Sequence, residues 1–181
     1  MIILMGAPGV GKSSVLSGLK AKRPDYSIVN YGDLMLEVFG EKFGVSNRDD
    51  MRKSPVSQQK EAQKEVAHRL SKMDGKIILD THCSVQTPKG YLPGLPFALL
   101  SNLKVERLIL LSATIDEIYA RRKNDATRVR EVNKEEIIEH GEINKAYLAA
   151  YSAFTGAPAS IVMNHDNKLA EAIEKFALLL E

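Results

Sequence analysis

The chain has 181 residues, 44% of them hydrophobic and 27% charged, so it is long enough for one well-buried core and too short for two ordinary domains. Its formal net charge of +2 gives no overall attraction to nucleic acid or to a membrane, and no apolar run approaches the roughly 20 residues that span a bilayer. The single cysteine, Cys83, excludes an internal disulfide and a cysteine-built zinc site. We therefore expect one cytoplasmic domain with no nucleic-acid or membrane partner.

The first element is a predicted strand, residues 1–5, followed by the sequence GAPGVGKS and then by a predicted helix, Lys12 to Lys22. This is the P-loop pattern G-x-x-x-x-G-K-[ST] in its proper context; a chance match in a glycine turn is the alternative. The glycines let backbone N–H groups converge on an anion, and the helix presents its positive end to the same anion. The motif predicts a nucleoside triphosphate site. A signal peptide is not expected, since its removal would take this strand away.

Strands and helices alternate through the rest of the chain. The other predicted strands are residues 27–30, 76–79, 107–111 and 160–163. The other predicted helices are residues 34–39, 54–75, 99–103, 114–123, 133–156 and 168–180. This alternation predicts a parallel sheet with helices on both faces.

Two arginines lie four residues apart in the charged segment 47–53, between the second and third strands. Arg48 and Arg52 either pair with the neighbouring Asp49 and Asp50 or hold a second, phosphorylated substrate. Composition alone does not decide between these two interpretations.

Asp33 is predicted to be the N-cap of the helix over residues 34–39, and it is also a candidate general base. A base is required if the acceptor is a hydroxyl group. If the acceptor is a nucleoside monophosphate, the attacking oxygen is already ionised at pH 7, so cations and alignment suffice. Arg48 and Arg52 favour the second case.

The third predicted strand ends in Asp80, as expected of a Walker-B carboxylate that organises Mg²⁺ beside a P-loop. The pattern is weak without the P-loop, because many strands end in aspartate for structural reasons. His82 is either a proton shuttle or a hydrogen-bonded structural group. Residues 81–97 are too rich in proline and glycine for regular structure, and a loop of this length in a compact domain is usually functional.

Residues 121–130 hold five cations against the single Asp125, at the end of the helix that begins with the capping box at 114–117. Such a density of like charge is unfavourable unless an anion collects it, and arginine suits bidentate phosphate contact. The stretch predicts a lid over the transferring phosphoryl group, with a solvated helix face as the alternative.

Two other classes of nucleotide protein lack support. A GTPase switch would need the guanine-reading pattern Asn-Lys-x-Asp, and Asn124-Asp125 and Asn167-Lys168 are both incomplete. A nucleic-acid-binding protein would need an aromatic platform with a basic stripe, whereas aromatic content is only 6%.

Six segments carry a resemblance to a known family. They are GAPGVGKS at 6–13, YGDLM at 31–35, RDDMRK at 48–53, DTH at 80–82, TPKGYLPGLP at 87–96 and DATRVR at 125–130. With these segments the chain closely resembles the archaeal type of adenylate kinase over nearly its whole length. The Pro/Gly-rich segment 87–96 is the most specific of the six.

The resemblance implies Mg²⁺-dependent, reversible transfer of the γ-phosphoryl group of ATP to AMP, giving two ADP. It implies a P-loop α/β fold of three layers, α/β/α, with a five-stranded parallel sheet of order 2-3-1-4-5. A single domain, 1–181, is expected. Its expected parts are a core of 1–30, 76–120 and 135–181, an AMP-binding helical excursion of about 31–75 and a short lid of about 121–134. A homotrimer is expected from the family, and the short lid leaves no room for bound zinc.

The resemblance also implies roles for single residues. The expected catalytic residues are Lys12, Arg48, Arg121, Arg128 and Arg130. The expected ATP ligands are Gly6, Ala7, Pro8, Gly9, Val10, Gly11, Lys12, Ser13, Ser14 and, near the adenine, Asn164. The expected AMP ligands are Gly32, Asp33, Arg48, Arg52, His82, Tyr91, Pro93 and Gly94. The expected Mg²⁺ ligands, through water, are Ser13 and Asp80.

No side chain stands out as a reader of the adenine amino group of AMP. If residues 91–96 contact the base mainly by shape and backbone, other monophosphates are accepted as well. Three alternatives to an adenylate kinase stay open: a kinase of another nucleoside monophosphate, a kinase of a hydroxyl metabolite, and a non-catalytic nucleotide-dependent binding module.

Overall fold

Seven strands and eight helices make up the part of the chain described by a computed structural model, residues 1–125 and 133–181. The strands are β1 (Ile2–Met5), β2 (Tyr26–Asn30), β3 (Lys76–Thr81), β4 (Ser84–Thr87), β5 (Gly90–Pro93), β6 (Arg107–Ser112) and β7 (Ala159–Met163). The helices are α1 (Lys12–Lys22), α2 (Tyr31–Phe43), α3 (Arg48–Lys53), α4 (Val56–Ser71), α5 (Phe97–Leu100), α6 (Ile115–Lys123), α7 (Lys134–Thr155) and α8 (Leu169–Leu178). Arg128 and Arg130 of the predicted lid lie outside the described residues.

The main sheet is parallel and has the order β2-β3-β1-β6-β7. This is the predicted order 2-3-1-4-5 when the strands of the main sheet are numbered alone, because β4 and β5 form a separate hairpin. The predicted fold class is confirmed.

Both faces of the sheet are buried, as the alternation along β1 shows. Ile3 and Met5 belong to a cluster shared with α2, α4 and α7, whereas Ile2 and Leu4 belong to a cluster shared with α1 and α8. Successive residues of a strand point to opposite faces, so a strand covered on both sides is apolar throughout. None of the described helices is long and apolar enough to cross a bilayer.

The prediction that residues 81–97 lack regular structure was wrong for the hairpin of β4 and β5. Pro88 lies in the turn and Pro93 at the end of β5, where a missing N–H does not interrupt pairing. Gly90 has a φ of +111°, and the Thr87 hydroxyl donates a 2.7 Å hydrogen bond to its carbonyl. The prolines and glycines therefore mark the turn and the ends of a hairpin.

The helices between β2 and β3 also differ from the prediction. Helix α2 begins at Tyr31, and its N-cap is Asn30, whose side chain accepts a hydrogen bond from the Asp33 backbone N–H. Asp33 is therefore in the first turn and is not the N-cap, because Asn30, the residue before the helix, has an equally good capping side chain. The segment 47–53 contains helix α3, which Asn47 caps in the same way.

Candidate active site

The P-loop forms a cradle of backbone N–H groups between β1 and α1. Gly9 and Gly11 have φ values of +90° and +86°, which side-chain-bearing residues rarely adopt. Gly11 is the N-cap of α1 and has no side chain to satisfy the first N–H groups of the helix, and no acidic residue lies in its first turn. These N–H groups are left for an external anion, which is what phosphate binding at a helix N-terminus requires.

Lys12 lies inside this cradle. Its Nζ donates a 3.2 Å hydrogen bond to the Gly6 carbonyl and lies 3.6 Å from Asp80 Oδ1, and its side chain is 14% exposed. Burial lowers the pKa of Lys12, while the charge of Asp80 opposes this shift. The ammonium group is therefore held at the entrance to the predicted phosphate position with one carboxylate as its counter-ion.

Asp80 is oriented by Asn30, a residue that the sequence interpretation missed. Asn30 Nδ2 donates a 2.8 Å hydrogen bond to Asp80 Oδ2, and the two residues are register partners at the carboxyl ends of β2 and β3. Asp80 Oδ1 is buried and, among the described residues, has no hydrogen-bond partner. The signal for Asn30 was its position at the end of a strand that neighbours the strand of Asp80.

A cavity of about 530 Å³ lies above these groups and brings most of the predicted site together. The predicted residues that line it are Ala7, Pro8, Gly9, Gly11, Lys12, Ser13, Ser14, Arg48, Arg52, Asp80, His82 and Arg121. The described predicted residues that do not line it are Gly6, Val10, Gly32, Asp33, Tyr91, Pro93, Gly94 and Asn164. One open space thus reaches from the P-loop to both arginines of α3.

Both arginines of α3 are paired with aspartates on the surface. Arg48 Nη2 lies 2.5 Å from Asp33 Oδ1, and Arg52 Nη1 lies 3.1 Å from Asp49 Oδ1. The Arg48 side chain is 44% exposed and that of Arg52 is 62% exposed, so these pairs are solvated and contribute little stability. An arriving phosphate can therefore replace these carboxylates at small cost.

His82 follows β3 and faces the open cavity. Desolvation by the surrounding walls and the charge of Lys12 lower the pKa of His82 to about 4, although a hydrogen bond to the Gly6 carbonyl opposes the shift. The ring is therefore neutral at pH 7, where it offers one hydrogen-bond donor and one acceptor but no charge.

Gly94 fixes the end of the hairpin against the backbone of His82 and Cys83, which connect β3 to β4. Its N–H donates a 2.9 Å hydrogen bond to the Cys83 carbonyl, and a Cβ at this position would lie 1.8 Å from the His82 carbonyl oxygen. Only glycine allows this approach. Tyr91 and Pro93 belong to the same hairpin, and neither residue lines the cavity. The hairpin therefore lies beside the cavity without lining it.

The other side of the P-loop is held by α6 and by the segment after β7. Arg121 donates to the carbonyls of Gly9 and Val10, both at 3.4 Å, and to the Asn164 carbonyl at 2.8 Å. Asn164 Nδ2 donates a 2.9 Å hydrogen bond to the Val10 carbonyl. The structure thus places Arg121 and Asn164 against the P-loop backbone, and the predicted contact of Asn164 with adenine stays a prediction.

Glu117 ties α6 to the segment after β7. It accepts hydrogen bonds from the Asp166 N–H at 2.7 Å and from the Thr114 N–H and hydroxyl at 2.8 and 2.7 Å, and His165 Nδ1 lies 3.2 Å away. Partial burial raises the pKa of Glu117, but these hydrogen bonds outweigh it and hold the pKa at about 2. The ionised carboxylate therefore stabilises the folded chain.

Replacing this carboxylate tests its contribution to stability. Because the folded-state pKa lies below the unfolded one, the stabilisation is present above the unfolded pKa and disappears as pH falls towards 2. We expect Glu117→Gln to lower Tm at pH 7 by about 2–4 °C and by less at pH 3. Thermal melts at both pH values measure this, and Glu171→Gln, on the exposed partner of Lys168, is the control. An equal loss at both pH values would contradict the account.

Both walls of the cavity carry groups suited to binding phosphate. One wall has the P-loop backbone N–H groups and Lys12, and the other has Arg48 and Arg52. A site of this kind at the end of a P-loop sheet defines a phosphate-transferring P-loop enzyme, a kinase.

Comparison with known proteins narrows the class to one family. Residues 5–139 match a family described as an AAA domain. The adenylate kinase of Methanopyrus kandleri is 42% identical over 97% of this chain and 95% of its own length. The adenylate kinase of Methanothermobacter thermautotrophicus is 41% identical over 100% of this chain and 99% of its own length. The chain belongs to the adenylate kinase family and is a phosphotransferase.

Solved structures with a similar fold include shikimate kinases. That of Acinetobacter baumannii, in complex with shikimate, has a TM-score of 0.61 at 14% identity and covers 99% of this chain and 91% of its own. The shikimate kinase of Bacteroides thetaiotaomicron has a TM-score of 0.63 at 12% identity, and the match covers 99% of this chain and 97% of that one. At such low identity the likeness shows the fold alone.

Proposed function

We propose that the chain transfers the γ-phosphoryl group of ATP to AMP reversibly, with Mg²⁺, and so interconverts ATP plus AMP with two ADP. The observation that carries the proposal is the single cavity shared by the P-loop, Arg48, Arg52 and His82. Phosphate groups of two nucleotides can meet there with cations on both sides. The family membership supports the choice of substrates.

On the donor side, the P-loop N–H groups and Lys12 hold the phosphates of ATP. Lys12 is pre-positioned by the Gly6 carbonyl and Asp80, so little reorganisation is needed when the phosphates arrive. The Ser14 hydroxyl, which also lines the cavity, adds a phosphate contact. The positive end of α1 stabilises the charge that develops on the phosphate oxygens.

The residues around Asp80 fit a Mg²⁺ ion. Asp80 Oδ1 is buried, lies 3.6 Å from Lys12 Nζ and has no hydrogen-bond partner within residues 1–125 and 133–181, so it suits a metal-bound water. The Ser13 hydroxyl lines the same cavity. No cluster of three or more His, Cys, Asp or Glu side chains that could hold a metal occurs in residues 1–125 and 133–181. This matches Mg²⁺, which takes few protein ligands and keeps waters and substrate phosphates. When bound, the ion would neutralise charge on the transferring group.

On the acceptor side, Arg48 and Arg52 hold the phosphate of AMP. Its attacking oxygen is already ionised at pH 7, so no general base is needed. Asp33 was the candidate base for a hydroxyl acceptor, but it pairs with Arg48 and does not line the cavity. The structure thus favours a phosphate acceptor, and Asp33 releases Arg48 to the substrate.

The remaining expectations stay proposals. The AMP ligands include Gly32, Tyr91, Pro93 and Gly94, and the helices of residues 31–75 form the AMP-binding excursion of one domain. Arg121, Arg128 and Arg130 belong to a short lid, about 121–134, that stabilises the transferring group. A homotrimer in the cytoplasm is expected from the family, and the free, buried Cys83 suits a reducing compartment.

The acceptor range gives a direct test. If residues 91–96 contact the base mainly by shape and backbone, we expect turnover with CMP, UMP and GMP within about a hundredfold of AMP in kcat/KM, the range that differences of shape in a pocket span. Initial rates with ATP and each monophosphate, at fixed Mg²⁺, measure this. Activity with AMP alone would contradict relaxed specificity, and activity with none of the four would contradict the proposed function.

A further inference from the structure

One face of α7 carries four polar side chains that all contact the hairpin region. They are His140, Asn144, Tyr147 and Tyr151, and we call them the α7 stripe. Their spacing of four, three and four residues puts them on one side of the helix. His140, Asn144 and Tyr151 are 6%, 3% and 5% exposed, so they are buried against residues 83–95.

Tyr151 closes the base of the hairpin. Its hydroxyl donates a 2.8 Å hydrogen bond to the Cys83 carbonyl and accepts a 3.4 Å hydrogen bond from the Leu95 N–H. Cys83 directly precedes β4, and Leu95 lies two residues after β5. One side chain thus bridges the two points where the chain enters and leaves the hairpin.

Ser84 joins two members of the stripe to β4. Its hydroxyl donates a 2.7 Å hydrogen bond to Asn144 Oδ1, and His140 Nε2 lies 3.1 Å from the same hydroxyl oxygen. Since the single Ser84 proton points to Asn144, His140 acts as the donor to Ser84. Ser84 and His140 are therefore not a nucleophile and base pair but a structural network.

Tyr147 holds the other strand. Its hydroxyl donates a 3.1 Å hydrogen bond to the Tyr91 carbonyl in β5, and the Tyr91 ring packs on the His140 ring at 5.2 Å. The stripe thus reaches both strands and both ends of the hairpin.

The hairpin needs such support because it is a separate two-stranded sheet, which is only marginally stable by itself. Val85 and Leu92 are a cross-strand pair, 43% and 57% exposed, so the hairpin buries little apolar surface on that face. Its orientation is therefore set by the stripe and by the close approach of Gly94 to His82.

We infer that the α7 stripe positions the acceptor subsite, with Tyr151 as its main positioning residue. This inference rests on the proposed function, in which His82 and residues 91–94 border AMP. Tyr151 anchors the carbonyl of Cys83, the residue after His82, and so sets where that ring faces the cavity. Arg121, Arg122 and Asn164 hold the P-loop from other elements, whereas the hydrogen bonds of the stripe named above go to the hairpin region, so we expect the donor subsite to change less.

Removing one tyrosine hydroxyl tests the inference, with a matched control in the same chain. Tyr151→Phe removes the bridge at the hairpin base. Tyr26→Phe removes a comparable buried hydrogen bond, 3.2 Å to the Leu180 carbonyl, far from the hairpin. We expect Tyr151→Phe to raise KM for AMP about fivefold to tenfold, leaving KM for ATP within about twofold, as loss of one positioning hydrogen bond should. Tyr26→Phe should change neither KM.

Tyr147→Phe is a second variant in case Tyr151→Phe lowers stability too far for kinetics. It removes only the bond to the Tyr91 carbonyl and should again raise KM for AMP more than KM for ATP. Equal changes in both KM values, or none in both variants, would overturn the inference. These outcomes presuppose that the unaltered chain turns over AMP; failure of that activity would instead overturn the proposed function.

Discussion

Lys12→Ala should lower kcat by about a hundredfold or more with both nucleotides saturating, while the fold is retained. Lys12 contacts the P-loop Gly6 carbonyl and Asp80, next to where the transferring phosphoryl group would lie. Its charge stabilises the oxygens most in the transition state, so the loss appears in kcat. Steady-state rates measure the effect, and far-UV circular dichroism checks the fold.

Two variants sharpen this experiment. Lys20→Ala removes an exposed lysine from the same helix, α1, and should leave kcat unchanged. Lys12→Met keeps most of the buried volume without the charge and should resemble Lys12→Ala. Turnover close to normal in both Lys12 variants would remove the mechanism proposed for the donor side.

Asp80→Asn should lower kcat by about a hundredfold and raise the Mg²⁺ concentration needed for half-maximal rate, because a neutral amide holds metal-bound water less strongly than a carboxylate. The fold should be preserved, since the amide oxygen can still accept the hydrogen bond from Asn30 Nδ2. A Mg²⁺ titration at saturating nucleotide measures both effects.

Asp25→Asn is the control for this substitution. Asp25 precedes β2, at the opposite end of the strands from Asp80, and pairs with Arg23 and Lys76 at the surface. The Mg²⁺ concentration that the Asp25→Asn variant needs for half-maximal rate should equal that of the unaltered chain. An unchanged Mg²⁺ requirement in Asp80→Asn would contradict the role proposed for Asp80.

The donor half of the site could be predicted because it is local in sequence. The P-loop needs one strand, a few glycines and one helix in a row, and the predicted bounds of α1, Lys12 to Lys22, are those observed. The capping box that opens α6 was predicted for the same reason, since Thr114 and Glu117 satisfy each other within one turn.

The features that were missed depend on contacts between distant residues. Asn30 orients Asp80 only because β2 and β3 are neighbours in the sheet. The hairpin of β4 and β5 was not predicted because its prolines and glycines are typical of loops. The α7 side chains that support it lie 56 to 68 residues later in the chain. His140 and Asn144 are buried polar residues whose partner, Ser84, no helical periodicity can indicate.

We expect one cavity to bring the phosphates of two nucleotides together. Incubation of the chain with ATP, AMP and Mg²⁺, followed by separation of the nucleotides, tests this most directly. We expect two ADP to form for each AMP consumed, with no inorganic phosphate, and no ADP to form when AMP is left out. ADP and inorganic phosphate formed from ATP at the same rate with and without AMP would contradict this expectation.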